Sequence, residues 1–258
     1  MKIATNRLKW IMGVAISSSL MLASCRAGYE VVSVEGYRIS MDSVWDASPD
    51  MEAIALLAPY KADMDSVMNE VKGEAAVSMD RFRPESPLSN LIADVLRLSA
   101  RDITGKTADM GLVNIGGIRN VLTQGPITTG DIYEILPFEN SLCLLTLKGV
   151  DLRALMENIA RRGGEGVSGV TMALNKEGKV LEAWVGGKPI ADDQLYTIAT
   201  IDYLAEGNDG MTALKRAQER ICPEGATLRG LFMKYVEQQT KAGKKITART
   251  EGRISITK

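Results

Sequence analysis

The chain contains no histidine in its 258 residues. Imidazole is the commonest protein ligand for zinc-like ions and the usual general base near neutral pH. Its absence excludes histidine triads and histidine-bearing two-metal hydrolase centres from these residues. Aromatics are scarce, at 5%, and by composition alone any one of them is as readily a core residue as a ligand contact. The formal net charge is -1, which leaves no basic surface of the kind polymeric nucleic acid requires, so no nucleic-acid partner is expected. What remains is a 45% apolar chain, enough to build a real core in one main domain with an appended segment.

Residues 1–24 read as a signal peptide. Lys2, Arg7 and Lys9 make a positive start, Trp10 to Leu22 is an apolar run too short for a mature membrane span, and small residues follow. Leu22-Ala23-Ser24-Cys25 resembles the bacterial lipobox, which implies that Cys25 is lipidated and the mature protein is anchored to the bacterial cell envelope. Ordinary secretion with cleavage near Ser24 is the alternative. Of the three cysteines, this leaves Cys143 and Cys222. They are read either as one disulfide of an oxidising compartment or as two buried thiols, and with no histidine beside them neither is assigned to nucleophilic catalysis.

Residues 25–72 are read as a tether and helical linker. Tyr29 to Ile39 is a short hairpin or simply a tether. From Ser48 and Pro49 onward, Met51, Ile54, Leu56, Leu57 and then Met64, Val67, Met68, Val71 recur at helical spacing, interrupted near Pro59, so two helices are expected there. Residues 73–258 form the domain itself. A strand is expected over Glu74–Met79 and a helix from Pro87 to about Ala100, with Leu88, Leu91, Ile92, Val95 and Leu98 on its buried face. A buried strand follows at Met110–Val113, then a strand marked by Leu142, Leu144 and Thr146, and a helix over Gly149–Arg162. Gly169–Leu174 and Val180–Val185 make a hairpin around Asn175–Gly178, Leu195–Thr200 is a strand, Thr227–Gln239 a helix, and Arg253–Thr257 a closing strand.

Two motif matches fail on context. Ala100 to Thr107 approaches a phosphate loop but has Ala where the first Gly belongs and runs from helix to strand, the reverse of the required order. Gly164-Glu165-Gly166-Val167-Ser168-Gly169 spells a dinucleotide fingerprint in a helix-to-strand loop. A different stretch organises the chain. Asn114-Ile115-Gly116-Gly117-Ile118-Arg119 follows a buried strand, and its glycines let the backbone turn where a side chain would block a ligand. Pro137 stops the segment from Thr129 and leaves Phe138 and Asn140 where the next strand begins. Gly207-Asn208-Asp209-Gly210 is a turn in which glycines and Asn supply left-handed backbone and present Asp209 to a cleft. A turn residue or a carbonyl cap is the plainer reading of Asp209 and of Arg119.

Asn-x-Gly-Gly-Ile-Arg at 114–119, Asp131-Ile132-Tyr133 with Leu136-Pro137-Phe138-Glu139-Asn140, Ile201-Asp202-Tyr203 through Gly210, and Pro87-Leu88-Ser89-Asn90-Leu91-Ile92-Ala93-Asp94 together resemble the C-terminal domain of the 5'-nucleotidase and UDP-sugar hydrolase family, in the family's order over roughly Val71 to Lys258. The resemblance implies an α+β fold, a mixed sheet flanked by helices. It also implies a nucleotide or nucleoside ligand whose base is sandwiched between Phe138 and Tyr203. Asn140 would contact the base edge, Asp209 would accept from the ribose hydroxyls, and Arg119 would reach toward sugar or phosphate. Asn114 and Gly117 belong to the same binding set. Arg81 and Arg83 stand where relatives place phosphate- or ribose-binding arginines, with a solvated arginine as the alternative. Asn208 replaces a usual Gly and Met211 a usual aromatic.

In that family the hydrolytic metals sit in an N-terminal metallophosphoesterase domain held by Asp, His and Asn. No catalytic or metal-ligating residue is therefore assigned in this chain, and divalent metals are expected in a separate catalytic chain. The expectation is the nucleotide-recognition half of a split 5'-nucleotidase, inactive alone, with a stand-alone nucleoside- or nucleotide-binding lipoprotein as the alternative.

Overall fold

A computed structural model describes residues 31–40, 43–105 and 108–257. The expected signal peptide and Cys25 lie outside the described residues, as do Lys106 and Thr107 of the rejected phosphate-loop match. The chain divides into two compact units, Met1–Ile54 and Ala55–Lys258. In the first, residues 31–40 carry no strand, so no hairpin forms there, and a 3-10 turn spans Ser43–Ala47.

Helix α1 runs unbroken over Met51–Met68 with Pro59 inside it, where two helices were expected. No residue of α1 is buried, so the carbonyl that Pro59 cannot pair is open to water and the break is not enforced. Strand β1 is Val71–Ala75 and pairs antiparallel with β3, Gly125–Thr128. It starts and ends earlier than the predicted Glu74–Met79, because its partner Gly125, at φ 118°, turns away opposite Ala75. Met79 makes only an isolated bridge to Leu122.

Helix α2 spans Pro87–Thr104, capped by Ser86 in a reciprocal bond with Ser89 and closed by Gly105 in the left-handed region. Its buried face is Leu88, Leu91, Ile92, Val95, Leu96 and Ala100, while Leu98 is exposed. At about 100° per residue, Leu98 lies only roughly 20° from Leu91, at the margin of the core stripe, where it lines an open surface pocket beside Tyr235. Strand β2 is Met110–Val113, all buried. Helix α3, Thr129–Ile135, is capped by Thr128 and Asp131, and β4 is Leu142–Lys148. Helix α4 is Gly149–Arg161, followed by β5 at Gly166–Ser168, β6 at Val170–Leu174, β7 at Val180–Val185, β8 at Lys188–Pro189 and β9 at Leu195–Ile201. A one-turn helix α5, Asp202–Ala205, leads through β10, Glu219–Ile221, to α6, Leu228–Lys241, and β11, Ile254–Ile256.

The central sheet has the order β10-β4-β9-β2-β5, parallel only between β2 and β9. A second sheet, β11-β6-β7-β8, is parallel only between β11 and β6. The fold is thus α+β, with mixed sheets flanked by helices. Helix α2 lies across β2 and β5, and α4 across β4, β7 and β9. Both faces of the central sheet are buried, since Cys143 and Leu145 are in the core as well as Leu142 and Leu144. Cys143 and Cys222 form a disulfide with Cα atoms 4.2 Å apart. The pairing Ile221–Leu144 sets them directly opposite one another across β10 and β4.

Candidate functional site

Four chain segments meet at one edge of the central sheet, and the register explains why. Strands β2 and β9 run in parallel and both end there, so residues 114–119 and 202–209 leave from the same edge. Leu142 pairs with Ile201, so antiparallel β4 begins at that edge just after residues 138–140. Val113 pairs with Gly166, so β5 also begins there, just after residues 162–165. A cleft of about 370 Å³ lies among these segments, lined by Asn114, Gly116, Gly117, Arg119, Phe138, Asn140, Arg162, Tyr203 and Asp209.

Strand β2 delivers Asn114 into a 3-10 turn at Ile115–Gly117. A Cβ at Gly117 would stand 2.7 Å from Asn114 Oδ1 and push that side chain out of its place. Asn114 Nδ2 donates to Asp209 Oδ2 at 2.8 Å, while its Oδ1 is buried with no protein partner. Arg119 Nη1 donates to the Gly116 carbonyl at 3.1 Å, and its guanidinium carbon lies 5.6 Å from the Phe138 ring centroid, within cation–π range. Phe138 is 45% exposed and Tyr203 40%, values that rule out core packing as the reason for either ring.

Asp209 is held on three sides. Besides Asn114, it accepts from the Tyr203 hydroxyl at 3.3 Å and pairs with Arg162 Nη2 at 3.4 Å. Its own backbone, not that of Asn208, takes the left-handed conformation at φ 52°, and it is the only such non-glycine among the described residues. Asn208 instead donates its side-chain amide to the Tyr203 carbonyl at 2.9 Å and closes the turn. Met211 is buried in the core and does not line the cleft. The Asp209 carboxylate raises the Tyr203 pKa above its ordinary value, chiefly by charge repulsion of the phenolate and also through burial and the hydrogen bond.

Arg83 does not line the cleft. Its Nε donates to the Gly164 carbonyl at 2.9 Å and its Nη2 to Glu165 Oε1 at 2.6 Å. It supports the cleft from behind because Glu165 offers it a buried carboxylate, which solvent could not match. Arg81, the other arginine considered, reaches only the Arg119 carbonyl, at 3.5 Å. The residue that sequence reasoning missed is Arg162. Its Nε is anchored on Glu165 at 3.0 Å, leaving Nη2 toward Asp209. The bond to Glu165 is the main cause that raises its pKa above the already high arginine value, so it stays cationic. No sequence signal marked it, since a helix-terminal arginine is ordinary. Glu165 also accepts from the Ile115 N–H at 2.6 Å, tying the floor of one cleft segment to another.

Two exposed rings, two guanidiniums, two amides and a carboxylate can hold a flat heterocycle carrying hydroxyl and anionic groups. The chain lacks histidine, and among the described residues no group of three or more His, Cys, Asp or Glu is gathered in one place.

Fold and cleft together define an α+β domain with an open, mixed aromatic and charged cleft at the end of its central sheet. Residues 67–216 match the family described as 5'-nucleotidase, C-terminal domain, and the chain belongs to that family. It is 31% identical over 224 residues to the trifunctional nucleotide phosphoesterase protein YfkN of Bacillus subtilis, covering 79% of this chain and 15% of that protein. It is 32% identical over 234 residues to the cell wall protein Lmo0130 of Listeria monocytogenes, 80% of this chain and 29% of that one. The crystal structure of a 5'-nucleotidase precursor from Thermus thermophilus superposes with a TM-score of 0.69 at 33% identity, covering 82% of this chain and 44% of that chain. The chain spans less than half the length of the curated relatives it matches.

Proposed function

We propose that this chain is the nucleotide-recognition half of a split 5'-nucleotidase, whose phosphate-ester hydrolysis is carried out by a separate metallophosphoesterase chain holding divalent metals. The observation that carries this reading is the convergence of Phe138, Tyr203, Asn140, Asp209, Arg119, Asn114 and Gly117 on one cleft in a chain with no histidine. A base stacked between the two rings gains on the order of 1–3 kcal/mol per aromatic face. Asn140 reads the base edge, and Asn114 holds the Asp209 carboxylate in place. The Asp209 carboxylate suits a ribose diol because both its oxygens accept, and Arg119 suits a sugar or phosphate oxygen. Recognition of this sort needs no metal in the binding half.

The leader ending in Cys25 supports lipid anchoring in the bacterial cell envelope, in keeping with the cell-wall name carried by one relative. The alternative reading is a stand-alone nucleoside- or nucleotide-binding lipoprotein, in which Phe138, Asn140, Tyr203 and Asp209 of the cleft hold the ligand unaided.

Two measurements separate them. Titration calorimetry of the purified chain with AMP and adenosine should give saturable binding at about micromolar concentration if the cleft is self-sufficient. Phosphate release from AMP by a candidate metallophosphoesterase should rise when this chain is added if the enzyme is split. Binding without any rate effect supports the lone binder; neither binding nor rate effect overturns both.

A further inference from the structure

We propose that Arg229, on α6 and outside the cleft, is the positioning residue that sets the Phe138 ring for stacking. This rests on the reading of Phe138 as a ligand contact. Arg229 is a buried cation, 7% exposed, and burying a guanidinium is costly unless its donors are fully engaged. All of its engagement is with one short segment. Nη1 donates to the carbonyls of Leu136 at 3.1 Å and Pro137 at 3.2 Å, and Nη2 bonds the Glu139 carboxylate. The guanidinium carbon sits 4.0 Å from the centroid of Tyr133 in the helix just before, close enough for stacking.

Phe138 is therefore the one residue between two clamped neighbours, held from both sides by a single planar group. Pro137 has no N–H to bond, so backbone hydrogen bonding cannot fix this stretch in the usual way. On the far side, Leu228 N–H donates to the Asn140 carbonyl at 2.8 Å and Leu142 N–H to that of Ala226. The first turn of α6 thus grips the segment bearing both Phe138 and Asn140. Lysine could not reproduce this, because a point ammonium lacks the planar fork that reaches two carbonyls and a carboxylate at once.

The chain has three phenylalanines, which makes fluorine NMR decisive. In the full chain labelled with 4-fluorophenylalanine, Phe138→Leu assigns one resonance. Phe232, fully buried three residues beyond Arg229 on the same helix, reports whether the core is intact. Arg229→Met should shift or broaden the Phe138 line while leaving Phe232 unchanged, and Arg229→Lys should give the same effect in weaker form. Glu139→Gln, which touches only the exposed end of the clamp, should move Phe138 in the same direction and guards against a misfolded Arg229 variant. AMP affinity should fall about tenfold in Arg229→Met, the scale of one charge-assisted bond, and by less than about twofold when the same change is made in a Phe138→Ala background.

An unmoved Phe138 line overturns the proposal, as does a Phe232 line that moves with it, or an affinity loss of equal size in both backgrounds. If the parent chain binds no AMP, the nucleotide reading fails while the fluorine result still decides whether Arg229 positions the ring.

Discussion

Glu165 is the residue whose removal should damage the molecule most for its size. Its side chain has no exposure and accepts three hydrogen bonds, from Ile115 N–H at 2.6 Å, Arg83 Nη2 at 2.6 Å and Arg162 Nε at 3.0 Å. Hydrogen bonds to a charged group contribute about 1.5–3 kcal/mol each. The two guanidiniums are 34% and 37% exposed, so water recovers part of each, and about 1 kcal/mol apiece is the appropriate share. In Glu165→Gln the carbonyl can still accept from Ile115, but the new amide hydrogens face a guanidinium, giving an expected loss of roughly 2–3 kcal/mol. Glu165→Ala also orphans the buried Ile115 N–H, for a total of roughly 3–5 kcal/mol. Urea unfolding of the three proteins, with midpoints compared at unchanged slope, measures both numbers. If each variant lies within about 0.5 kcal/mol of the parent, below the scale of a single charged hydrogen bond, the buried carboxylate is not the tie between segments described above.

Tyr203 should titrate above free tyrosine, and Asp209→Asn should bring it down, measured at 295 nm as the difference from Tyr203→Phe. Because the folded value is raised, the associated stability is fully present below about pH 10 and fades as pH climbs through the folded value; a Tyr203 pKa that ignores Asp209→Asn refutes the contact. Phe138→Ala should weaken AMP binding by on the order of 1–3 kcal/mol without altering the unfolding midpoint much, since the ring is exposed; unchanged affinity refutes stacking. The disulfide closes a separation of 79 residues, for which chain entropy sets a ceiling of about 4.5 kcal/mol. Cys143→Ser with Cys222→Ser should lower the urea midpoint, and so should reductant on the parent; no change in either refutes the bond.

How far the residues announced this structure varies with the range of the interactions involved. Helix α2 was readable because Pro87 and the apolar stripe are local signals, whereas the cleft residues were readable only through their likeness to the family's motifs, since the strand pattern alone leaves Phe138, Asp209 and Arg119 open to core, turn or cap readings. Short edge strands were not: Glu219–Ile221 and Lys188–Pro189 have no apolar alternation to detect. Gly166–Ser168 was read as loop because it lies between the expected helix ending at Arg162 and the expected strand starting at Gly169. In fact Gly166 is there because a Cβ would meet Val113 Cγ1 at 2.7 Å and the Ser89 carbonyl at 2.9 Å, so the glycine lets α2 lie close on the sheet. Arg83 took its place through Glu165, 82 residues away, and Arg162 faces the cleft through Asp209 on a distant turn, which no local pattern can reveal. The cysteine pairing was undecidable for the same reason.

The four segments of the cleft are not held alike, and this bears on how the site can vary. Residues 114–119 are tied to residues 162–165 by the bond from Ile115 to Glu165, and Asn114 ties them to the turn bearing Asp209. Three segments therefore brace one another through charged and amide groups, and a change in any of them disturbs the others. The fourth, residues 136–140, meets the cleft through the Arg119 guanidinium near Phe138 and takes its support from α6. If the cleft binds a nucleotide as proposed, substitution at Phe138 or Asn140 should change which base is held while leaving the braced groups around Asp209 intact. Under that reading base preference and sugar or phosphate recognition are separable, because α6 positions the segment bearing Phe138 and the ends of the central strands hold the rest.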